Sequence, residues 1–96
     1  MNKKEETLRQ LRTDVVLNRR TLEALEEKAS KFKKLDDTRG VQETLVEIKS
    51  FFSLYRKNLE AIKKTNKNEE VSKFIKEIQE DLLKKEKELI RIYDDE

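Results

Sequence analysis

Four serines (Ser30, Ser50, Ser53 and Ser72) are the candidate nucleophiles of this sequence, because cysteine is absent. Serine attack needs a neighbouring base, and histidine is absent too. No strained elbow motif surrounds any of the four. Carboxylates are plentiful, with 21 Asp and Glu against 23 Lys and Arg. General acid–base chemistry needs such groups inside a concave site. Bundles that hold metals do so with carboxylates projecting from their seams, together with Glu-x-x-His elements. The apolar seams traced below contain no Asp or Glu, and the histidine element cannot be built. One Gly in the chain leaves no glycine-rich phosphate loop. The sequence therefore points away from catalysis, with no cofactor and no metal expected.

Basic residues offer a second kind of chemistry, phosphate contact. Arg9, Arg12, Arg19 and Arg20 occupy the first half of the N-terminal segment, with Lys28, Lys31, Lys33 and Lys34 in its second half. Such a segment can neutralise phosphates. It also contains Asp14, Glu23, Glu26 and Glu27. The aromatic residues lie mostly on or beside apolar seams, which leaves few stacking platforms for bases. Nucleic-acid binding through the basic face of the first helix is the alternative reading. A membrane-surface reading is weaker, because the apolar stripe there is narrow and interrupted by Asn18.

The elements that would hold these groups are legible in the spacing. Val41, Leu45, Ile48, Phe52, Tyr55, Leu59 and Ile62 follow steps of four and three without a miss. Leu8, Leu11, Val15, Asn18, Leu22, Leu25, Ala29 and Phe32 do the same, with one polar member. Val71, Ile75, Ile78, Leu82, Lys85, Leu89 and Ile92 form a third seam, broken by Lys85. A seam Asn fixes register at a cost in stability, or else meets a partner. A seam Lys can lay its stem along the core and keep its ammonium wet.

Two breaks divide these seams. Asp36-Asp37-Thr38-Arg39-Gly40 supplies N-cap side chains and a glycine that permits positive φ. Thr65-Asn66-Lys67-Asn68 lacks both Gly and Pro, so its evidence is phase. From Ile62 to Val71 is nine residues, roughly 900° of rotation, which puts the two seams half a turn apart. Asn68 followed by Glu69 and Glu70 reads as a helix start. The expected fold is all-α, an antiparallel three-helix bundle with coiled-coil-like heptad seams and helices over about 4–35, 41–64 and 69–93. It forms a single helical domain over 1–96.

Charge is uneven along the chain. Residues 1–35 carry ten basic and six acidic side chains, and residues 69–96 carry six and ten. The two ends can attract each other within one bundle or between copies. Thin seams make stability marginal without a partner or self-association. The N-terminus has no apolar stretch of the kind a signal peptide requires, and the longest apolar run is three residues, Val15 to Leu17. The expected location is cytoplasmic, with no membrane span.

The function these features favour is a small non-catalytic α-helical protein–protein interaction module, such as an adaptor, inhibitor, chaperone-like partner or assembly subunit. The expected partner is another protein or a second copy, with nucleic acid second and no small-molecule substrate. The partner-binding surface expected from the sequence is the flank of the third helix, Leu83, Ile90 and Tyr93. Leu54 and the Arg19-Arg20 pair come next. Phe51 is expected to be core, and Asp94-Asp95-Glu96 a solvated acidic end.

Overall fold

Each helix starts at a side chain that accepts hydrogen bonds from the free N–H groups of the first turn. The computed structural model describes residues 2–94, and three helices account for most of them. Helix α1 spans Lys3–Lys34, capped by Asn2, whose side chain accepts from the Glu5 N–H at 2.9 Å. Helix α2 spans Thr38–Thr65, where Asp37 accepts from the Gly40 N–H at 2.9 Å. Helix α3 spans Glu69–Tyr93, with Asn68 accepting from Glu70 and Val71. Glu5 and Glu6 lie in the first turn of α1, Lys31, Lys33 and Lys34 in its last. Both groups suit the helix dipole.

The turn after α1 corrects one expectation. Gly40 is not a turn residue with positive φ. It is buried in the first turn of α2, and the left-handed residue is Asp36, with φ of 55°. Asp37 N–H donates to Phe32 O at 2.9 Å, and Asp36 N–H to Lys33 O at 3.1 Å. These two bonds make a Schellman ending, in which one left-handed residue satisfies the last carbonyls. Gly40 is needed for a different reason. A Cβ there would stand 2.4 Å from Cδ1 of Phe32. The glycine lets the end of α1 lie directly on the start of α2. Asp36 holds a backbone conformation that costs an L-residue about 1–2 kcal/mol. Asp36→Gly is therefore expected to raise stability by about 0.5–1 kcal/mol in urea unfolding, the strain relieved being partly offset by glycine's chain entropy.

The second break falls at residues 66–68, as the phase difference requires. Asn66 N–H closes α2 on Ile62 O at 3.0 Å, and the Asn66 side chain accepts from the Thr7 hydroxyl at 3.2 Å. That last bond ties the linker to the first turns of α1. With short links at both breaks, α2 runs antiparallel to α1 and α3 and touches both, while α1 and α3 share the thinnest contact. The bundle is a rod of 51 × 20 × 15 Å. There is no strand among the described residues.

The core is built chiefly on α2. Ile48, Phe52, Tyr55 and Leu59 of α2 pack against Val71, Ile75, Ile78, Leu82 and Leu89 of α3 and Leu11, Leu22 and Ala29 of α1. Thr44 is fully buried and returns its hydroxyl to Gly40 O at 2.8 Å. Phe51, expected in the core, is half-buried and stands edge-on to Phe52 and Tyr55. Ile92 corrects the third seam: it is 37% exposed, and Tyr93 packs against the core instead. An α-helix turns through 3.6 residues while a heptad assumes 3.5. The inward direction drifts about 20° per heptad, so after three heptads it has moved on by roughly one residue.

Of the acidic end, Asp94 lies 3.8 Å from Lys49, and Asp95 and Glu96 fall outside the described residues. Attraction between α1 and α3 is realised at Lys4–Glu70, 3.3 Å apart. The other pair between them, Glu26–Lys85 at 3.1 Å, has its charges the opposite way round. No described helix is long and apolar enough to cross a membrane.

Candidate functional site

The thin contact between α1 and α3 opens midway along the rod. A groove of about 480 Å³ runs there, with Val15 and Leu22 on one wall and Ile78 and Leu82 on the other. Phe51 and Tyr55 of α2 lie beneath, and Arg19, Glu23, Glu26, Asp81 and Lys85 frame the opening. Most of these apolar residues are seam members that periodicity assigns to a closed core. The signal that locates the opening is the pair of polar seam residues. Asn18 interrupts the first seam and Lys85 the third, and both line this groove. Asn18 on α1 and, further along the rod, Lys85 on α3 opposite Glu26 place polar side chains where apolar ones would close the seam, and the groove spans the layers between them.

Asn18 and Tyr55 line that opening together. Burial pushes the Tyr55 phenol above its usual value of 10.0. The nearby Asn18 side chain opposes this, the charge of Asp14 adds to it and that of Arg19 opposes it. The raised value means that folded Tyr55 holds its proton more tightly than the unfolded chain does. Its contribution to stability is fully present below pH 10 and is lost as pH rises through the folded value. Wild type should therefore lose stability faster than Tyr55→Phe above about pH 10, a difference that urea melts at stepped alkaline pH would register. Parallel pH curves for the two proteins would place the phenol in water.

The residues singled out from the sequence do not all gather at this place. Arg19 frames the groove, and Arg20 is exposed on the outer side of α1. Leu83 is 49% exposed, and Ile90 is half-buried one heptad further along the same side of α3. Between them lies Glu86, paired with Arg56 of α2. Tyr93 is packed on the core, with the Lys33 ammonium 5.6 Å from its ring centroid. Of the expected α3 strip, only Leu83 is thus openly displayed. Leu54 is 63% exposed, about 200° around α2 from Arg56, and does not join that strip.

Glu26 and Lys85 neutralise each other across the mouth of the groove. No group of three or more His, Cys, Asp or Glu capable of holding a metal ion occurs among the described residues. Buried side-chain polar atoms without a hydrogen-bond partner are likewise absent from the described residues. Comparison of the chain with protein-family models, curated proteins and solved structures returns no match.

Proposed function

We propose that this chain is a non-catalytic protein-interaction module, and that its docking surface is the α1–α3 groove. The observation that supports this reading is the apolar floor left open between two polar seam positions. A bundle that needed only to be stable would gain from an apolar residue at Asn18 and a closed seam. Burial returns roughly 25 cal/mol per Å² of apolar surface, and a partner laid on the half-buried Val15 and Phe51 would collect it. Grooves between helices receive amphipathic helices in this way, through residues at i, i+3, i+4 and i+7.

A photo-crosslinking amino acid at position 23 on the rim, in cells that make the chain, tests the assignment. The expected result is a discrete protein adduct from position 23 and none from position 46, which is exposed on α2 away from the groove. Adducts from position 46 alone would remove the groove from the reading. Light scattering is expected to give a monomer near 11.5 kDa at low and high salt, because the three seams cover one another. A dimer would instead assign the exposed apolar faces to contact between copies.

A further inference from the structure

We infer that the partner presents an acidic amphipathic helix, which seats its apolar stripe in the groove and its carboxylates on the groove-side arginines of α1, Arg12 and Arg19. The inference rests on the docking reading above and adds the chemistry of the occupant. Arg9, Arg12, Arg19 and Arg20 are all exposed, and among the described residues none has a carboxylate within 4.0 Å. Arg39 and Arg56 of α2, by contrast, are both paired. At about 100° per residue the four unpaired arginines of α1 share an arc of roughly 100°. Asp14, which stands among them in the sequence, is about 140° away from Arg9.

Val16 lies inside that arc, 49% exposed, and Val15 beside it lines the groove. Arginines around an exposed apolar residue, continuous with an apolar floor, match the composition of surfaces that carry binding energy. Guanidinium groups bind carboxylates in two-bond geometry, so an acidic helix flank is the natural complement.

Length and end charges argue for a helix over a nucleic-acid strand. From Arg9 to Arg20 the patch runs about 16 Å, three turns of helix. Glu5 closes it one turn before Arg9, and Glu23 one turn after Arg19. A phosphate backbone running on in either direction would meet these carboxylates, and Asp81 across the groove. It would also leave the apolar floor unused, since Tyr55 is buried and cannot stack on a base. A helix can confine its carboxylates to the flank and turns that face the arginines and so present none to Glu23 or Asp81, which an unbroken phosphate backbone cannot do.

Three synthetic helical peptides test this directly. They share one apolar stripe and differ only in flank, which is Glu, Gln or Lys. Binding to the full chain is read by fluorescence anisotropy. The Glu peptide is expected to bind at least tenfold more tightly than the Gln peptide, and the Lys peptide most weakly. In Arg12→Glu/Arg19→Glu the order of the Glu and Lys peptides should reverse, with the circular dichroism of the chain unchanged. Equal affinity for all three peptides would overturn the acidic partner and leave the groove standing as a docking site. No binding by any peptide would overturn the helical occupant itself. Loss of binding on Leu83→Asp would move the site to α3. A single-stranded DNA oligonucleotide that displaces the Glu peptide, with affinity falling steeply in salt, would overturn the inference in favour of a polyanion.

Discussion

Phe52→Ala should remove about 3–5 kcal/mol of stability, the ordinary cost of deleting a buried aromatic ring. Phe52 is 0% exposed, sits in the middle of α2 and meets both other helices through the shared core. A chain of 96 residues has a total stability of roughly 5–14 kcal/mol at the usual range per residue. The substitution would therefore remove roughly a fifth or more of what holds the bundle together. Urea unfolding followed by circular dichroism should show a large fall in midpoint with an unchanged slope. Leu54→Ala, an exposed change on the same helix, should stay within about 0.5 kcal/mol. Similar midpoints for the two variants would mean that the core does not centre on Phe52.

The second large effect has the opposite sign from the usual one for a glycine inside a helix. Gly to Ala inside a helix normally gains up to about 1 kcal/mol, because alanine loses less chain entropy. Gly40→Ala should instead destabilise by about 1–3 kcal/mol, the range for overpacking. The added Cβ would stand 2.4, 2.5 and 2.8 Å from three ring carbons of Phe32, including the one nearest the backbone. The ring cannot swing clear without shifting α1. The measurement is a double-mutant cycle with Phe32→Leu. A coupling of about 1 kcal/mol or more between the two positions is expected, and additive effects would deny the contact.

Much of the architecture was legible because helix formation here is a local matter. The phase slip between Ile62 and Val71 placed the second turn without any Gly or Pro, and Asn68 caps the helix that follows. Glu69 and Glu70 open α3, as their place after Asn68 suggests. What misled was residue type read without its neighbours. Gly40 suggested a left-handed turn, yet the hydrogen bonds that end α1 require positive φ four residues earlier, at Asp36. Ile92 continued an ideal heptad, yet a real helix had rotated past it to Tyr93.

The candidate site was half legible. Asn18 and Lys85 were visible as interruptions of two separate seams. That both border one groove depends on the axial offset of α1 and α3, which no single seam contains. The arginine patch was obscured in the same way, because linear order mixes Asp14 with residues on the far side of the helix.

The sequence by itself determined three helices, two turns, the faces that must be buried and the absence of thiol and imidazole chemistry. Each of these depends on spacing along one segment, where local geometry leaves few alternatives. Tertiary structure alone decided where the bundle fails to close, which glycine contact sets the approach of α1 to α2, and which arginines are left without a carboxylate. Those outcomes depend on the height and rotation of one helix against another, and they are set by packing among residues distant in the chain.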